Sequence, residues 1–123
     1  MMKIERAIQK ELVKWLPTYL KATAYPFEVK LAASQNENSR HAVDMGMDVG
    51  EPDLRLYCRP GDMLHMFYLE LKKKKGKLSE SQIDWGNDFD AHYAGVNATR
   101  AVAYGFLEAR EKIISWLNSL PRA

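Results

Sequence analysis

Apolar residues recur at helical spacing from Lys3 to Leu16, where Ile4, Ala7, Ile8, Leu12, Trp15 and Leu16 fall mostly three or four apart. The pattern predicts an amphipathic helix. Pro17 should end or bend it, because proline has no N–H to continue the ladder. The period then drops to two. Phe27, Val29 and Leu31 alternate with Glu28 and Lys30, which predicts a strand within Tyr25 to Ser34. Gln35-Asn36-Glu37-Asn38-Ser39 reads as a polar loop, and His41 to Asp48 fits either a continued strand or a loop lining a site. Alternation returns in Asp53 to Cys58, and His65 to Lys72 is rich in strand formers. Between them Arg59-Pro60-Gly61-Asp62 has turn chemistry, with Pro and Gly at the central positions.

Beyond Gly76 the period lengthens again. Ser79 and Gln82 form a capping box, so a helix should start there and run through Ile83, Trp85 and Phe89 to about Tyr93, closed by Gly95. Thr99 to Tyr104 predicts a short buried strand. Phe106 to Leu117 predicts a second amphipathic helix with Leu107, Ile113, Ile114 and Leu117 inward and Pro121 past its end. The order is helix, strand, strand, strand, helix, strand, helix. A hairpin followed by a strand–helix–strand unit mixes antiparallel and parallel pairing, so an α/β fold with a mixed sheet flanked by helices is expected.

Composition narrows the classes. The 123 residues suit one domain spanning 1–123, and 46% apolar with 28% charged residues is ordinary for a globular chain. No apolar run is long enough for a membrane span, and the N-terminal residues lack a signal-peptide core, so a cytoplasmic protein is expected. A lone Cys58 excludes an internal disulfide framework and reads as a buried strand cysteine. His41, His65 and His92 show no zinc-like spacing, and Asp44, Asp48 and Glu51 do not follow the calcium-loop pattern. The net charge is only +2, but Lys72, Lys73, Lys74, Lys75 and Lys77 concentrate positive charge in one place.

Candidate chemistry sits where that charge begins. On a strand, Glu70 and Lys72 share one face while Leu69 and Leu71 take the other. A carboxylate and an ammonium in an apolar strand are costly to bury without partners. With Arg59 facing Asp62, Asp53 falls opposite Tyr68 and diagonal to Glu70, and a pairing with Glu70 itself keeps the same face. A slip of one residue would throw Asp53 to the other face. Two carboxylates and a lysine on one patch have the make-up of a hard-cation site with a basic group beside it, as phosphodiester hydrolysis requires. The lysines just beyond are placed to meet a polyanion's phosphates.

The residues Gly50-Glu51-Pro52-Asp53-Leu54, then Glu70-Leu71-Lys72, then Gly76-Lys77-Leu78-Ser79 and Gln82 resemble the signature of the PD-(D/E)XK nucleases, in particular the VRR-NUC branch. That branch includes stand-alone proteins of phages and bacteria and the nuclease domain of a Fanconi-associated repair nuclease. The resemblance covers roughly Ile4 to Leu117, with no match in Tyr25 to Val49. It implies a restriction-endonuclease-like αβββαβ core. It implies Mg²⁺, with Mn²⁺ as substitute, held by Asp53, Glu70 and the carbonyl of Leu71. Lys72 would orient or activate the attacking water, Gln82 would support the site, and a first-helix glutamate would join it, Glu5 before Glu11. Lys73, Lys74, Lys75 and Lys77 would contact DNA. The implied activity is metal-dependent DNA endonuclease, structure-selective in the manner of a homodimeric Holliday-junction resolvase, in a bacterial or phage-infected cytoplasm. A flap or single-strand nuclease, a nucleic-acid-binding module without cleavage and a small structural phage protein are the competing readings.

Overall fold

A computed structural model describes residues 3–34 and 50–121. The expectations for the polar loop at 35–39, for His41 to Asp48, and for Asp44 and Asp48 as loop acids lie outside the described residues. Among those described, the order is α1 (Lys3–Ala22), β1 (Val29–Ala33), β2 (Leu54–Cys58), β3 (His65–Lys72), α2 (Glu80–His92), β4 (Ala98–Tyr104) and α3 (Phe106–Ser119). This is the order the hydrophobic pattern predicts. No helix among these residues is long and apolar enough to cross a membrane.

The first helix does not stop at Pro17; it runs on to Ala22. Pro17 and Val13, whose carbonyl loses its partner, lie on the exposed side, where water can take that carbonyl. The helix ends instead in a Schellman-type turn. Tyr25 N–H donates to the Leu20 carbonyl at 2.9 Å and Ala24 N–H to that of Lys21 at 3.1 Å, with Ala24 at φ +51°. Its inward stripe is Glu5, Ile8, Leu12 and Leu16, while Ile4 and Ala7, expected inward, are exposed.

The four strands form one mixed sheet in the order β1-β2-β3-β4. The β1–β2 and β2–β3 pairs are antiparallel and β3–β4 is parallel. Its core face carries Leu54, Leu56, Phe67, Leu69, Leu71 and Ala103, packed against α1 and against Ala109, Ile113, Trp116 and Leu117 of α3. Phe67 and Trp116 stack with centroids 5.5 Å apart. Leu107, expected inward, is exposed, because two residues from Ala109 is about 200° around a helix. The last strand is not wholly buried either. It lies at the sheet edge, and Ala103 is its one fully buried residue.

The hairpin register differs from the two-residue turn in the sequence. The last pair is Cys58↔His65, so residues 59–64 form a longer loop and Arg59 does not face Asp62 across a tight turn. The apolar rows fix this register, since Leu54 and Leu56 must meet Leu69 and Phe67 on the core face. The shift is two residues, so every side chain keeps its predicted face. Asp53 moves from opposite Tyr68 to level with Glu70, because the ladder continues from Leu54↔Leu69.

Candidate functional site

The site begins with a glycine. Gly50 has φ +87°, and a Cβ there would lie 2.2 Å from the Ser81 carbonyl oxygen. Only a residue without a side chain lets the segment entering β2 dock on the first turn of α2. Pro52 and Asp53 follow, both buried. Strand β2 starts one residue later, so the Leu71 N–H on β3 has no β2 backbone partner. The Asp53 side chain replaces it, with Oδ2 accepting from that N–H at 2.8 Å. Within a strand, the N–H and C=O of one residue point to the same side. The Leu71 carbonyl is therefore directed to the same edge as Asp53.

Burial separates this cluster from the rest of the molecule's charge. Among the described residues, the buried polar or charged ones are Glu5, Asp53, His65, Glu70 and Lys72. Four of these five are residues the sequence assigns to the site. Burial pushes the Glu70 carboxyl from its ordinary 4.5 up to about 10, aided by its hydrogen bond with Asp53 and by that residue's charge. Lys72 pulls the other way, and the charge of Glu5 adds to the rise. At neutral pH Glu70 thus holds a proton and can donate it to the Asp53 carboxylate.

The fit of a metal is consistent in chemistry and sparse in ligands. The donors are oxygens, which suits a hard cation such as Mg²⁺ or Mn²⁺. No group of three or more His, Cys, Asp or Glu side chains among the described residues is placed to hold an ion. Glu5 influences Glu70 electrostatically but does not complete a side-chain triad. Asp53, Glu70 and the Leu71 carbonyl are the protein oxygens that would hold a cation, with water and substrate phosphate filling the remaining positions.

No protein-family model, curated protein or solved structure matches the chain.

The other predicted residues divide clearly. Lys72 is buried on the Glu70 side of β3, whereas Lys73 is half-buried and Lys74, Lys75 and Lys77 lie past the strand end, all three exposed. Gln82 performs the capping role in full. Its Oε1 accepts from Ser79 N–H at 2.8 Å, and its own N–H donates to Ser79 Oγ at 3.2 Å. The cap does not use its amide NH₂. Glu11 is exposed, so Glu5 is the first-helix glutamate at the cluster. Glu51 instead meets Ser34 Oγ at 3.4 Å and Arg55 at 3.8 Å. Cys58 is a buried strand cysteine whose thiol burial pushes up, away from nucleophilic use. The sequence pattern alone did not single out Arg55. It pairs across the sheet with Tyr68, two residues from Asp53 on the same face, and its buried Nε has no hydrogen-bond partner among the described residues. The signal for it is the alternation Asp53, Arg55, Tyr57, which puts one basic and one aromatic side chain beside the acid.

Proposed function

We propose that this chain is a metal-dependent DNA endonuclease of the PD-(D/E)XK type, structure-selective and acting as a homodimer on branched DNA. The observation that carries the reading is the pair Asp53 and Glu70, both buried, with Lys72 and Glu5 buried as well. The pairing order, antiparallel, antiparallel, then parallel after a helix, supports a restriction-endonuclease-like core. The lysines beyond β3 support a polyanionic substrate.

Asp53 and Glu70, with the Leu71 carbonyl, would hold Mg²⁺ or Mn²⁺. When bound, such a cation neutralises charge on a scissile phosphate and lowers the pKa of a water at the site. Leu71 N–H fixes the orientation of the Asp53 carboxylate. Lys72, held on the same strand face, positions the attacking water and offsets negative charge that grows on the phosphate. Glu5 adds negative charge that favours a cation over an empty site. The apolar core beneath Leu69 and Leu71 keeps β3 rigid, so the groups keep their spacing.

Cleavage assays on four-way junction, flap and duplex DNA, with Mg²⁺ or EDTA, test this directly. The expected result is cleavage that needs the cation and favours the junction. Preference for a flap or single strand would replace the junction assignment with a trimming nuclease. DNA binding without cleavage in any cation would reduce the protein to a binding module, and neither binding nor cleavage would remove the nucleic-acid reading altogether.

A further inference from the structure

The sheet face that carries Glu70 and Lys72 also carries Tyr68, two residues earlier on β3 and about 7 Å along the strand. Helix α2 lies over this part of the face and touches it through rings. Trp85 and Phe89 stack on each other at 5.2 Å and 14°. Tyr68 meets Trp85 at 5.2 Å and Phe89 at 5.3 Å. On the other face, Leu54, Leu56, Leu69 and Leu71 are fully buried. Here Tyr68 and Trp85 are only half-buried, and a cavity of about 470 Å³ opens between Met66, Tyr68, Trp85, Phe89, Tyr93 and Ala98. Tyr93 is 68% exposed.

We infer that this aromatic cleft takes an unpaired nucleobase of the DNA substrate. The inference rests on the nuclease reading of the adjacent carboxylates and names the feature of DNA that site would select. Three observations favour a base over a phosphate or an aliphatic side chain. The walls are ring faces and edges, against which a planar base stacks whatever its sequence. The charged group in the lining is Asp88, a carboxylate, which repels phosphate but accepts from the amino groups of bases. Its approach to His92 is a long 3.6 Å between two largely exposed side chains, so it can turn to a ligand. Finally, the cleft and the candidate catalytic pair share one strand face, so a nucleotide whose phosphate lies at Glu70 has its base within reach of Tyr68. An unpaired base is what a branch point, flap or bulge supplies and a continuous duplex does not.

The test measures binding of the full chain, in Ca²⁺ to suppress turnover, to a duplex with one extrahelical 2-aminopurine and to the same duplex fully paired. Mg²⁺-dependent cleavage of both is followed in parallel. Tyr93→Ala and Asp88→Asn are compared with wild type, with Asn87→Ala as an exposed control on the same helix. The expected result is at least roughly tenfold tighter binding of the bulged duplex by wild type, with quenching of the 2-aminopurine. Tyr93→Ala should cut that preference to under about threefold at unchanged melting temperature, Asp88→Asn should weaken it, and Asn87→Ala should keep it. An equal preference in Tyr93→Ala and wild type, or no preference in wild type, overturns the cleft. If wild type still cleaves in that case, the nuclease reading survives. Bulge preference that depends on Tyr93 without any cleavage leaves the base site standing and overturns the nuclease.

Discussion

Glu70 is the residue on which most of the site's physics converges. Its folded pKa of about 10 lies above the ordinary 4.5, so the folded state binds a proton more tightly than the unfolded chain does. The sign follows from linkage. Glu70's contribution to stability is fully present below about pH 4.5 and is lost as pH rises towards about 10. In EDTA, the melting temperature of wild type should therefore fall between pH 5 and pH 9 more steeply than that of Glu70→Gln. A parallel fall in the two proteins would show that Glu70 ionises normally. Millimolar Mg²⁺ should flatten the wild-type curve, because a cation at Asp53 and Glu70 replaces the shared proton.

At the scale of elements, the site depends on the docking of the Gly50 segment onto α2. Gly50→Ala introduces both a positive-φ conflict and a clash with the Ser81 carbonyl. It should cost more than about 1 kcal/mol, read as a lowered denaturant midpoint; an unchanged midpoint would mean the two segments are not docked. Gln82 belongs to the same junction. Gln82→Glu keeps a capping-box residue but adds a negative charge at the start of α2, where the Gly50 segment docks. It should melt close to wild type and cleave at least about tenfold more slowly, or about 1.4 kcal/mol in the barrier. A native single-turnover rate would leave Gln82 as a cap alone. What was legible in the chain follows from how local each signal is. Ser79 and Gln82 are three apart and form the predicted capping box, and the strand formers through His65 to Lys72 give that strand its bounds. Alternation also puts Asp53, Glu70 and Lys72 on one face, since a two-residue error in the turn leaves faces unchanged. Features set by tertiary packing were not legible. Pro17 sits inside a helix because the broken side faces solvent, and the hairpin loop extends to residue 64 because core rows outweigh the turn residues. Leu107 and Ile4 look like core residues by composition and are not, since Ala109 and Glu5 hold the inward positions. The cleft under α2 needs the packing of Tyr68 on Trp85, which brings together residues far apart in sequence.

The whole molecule divides its work between two faces of one sheet. The side against α1 and α3 carries the apolar core, and the other side carries Asp53, Glu70, Lys72 and the aromatic cleft. Positive charge gathers past the end of β3, at Lys74, Lys75 and Lys77. Replacing these three with alanine should weaken duplex binding and reduce the slope of log K against log salt by about 0.9 for each phosphate no longer neutralised. An unchanged slope would assign them to solvation. Sedimentation at micromolar concentration should give a dimer if two sites act on opposed strands. The most direct test of the metal-dependent nuclease is single-turnover cleavage of junction DNA by wild type, Asp53→Asn and Glu70→Gln, each with its melting temperature and Mg²⁺ affinity. The expected result is rapid Mg²⁺-dependent cleavage by wild type. Both variants should fold, bind Mg²⁺ more weakly and lose at least about a thousandfold in rate, about 4 kcal/mol in the barrier. Wild-type turnover by either variant, or no cation-dependent cleavage by the wild-type protein, would contradict it.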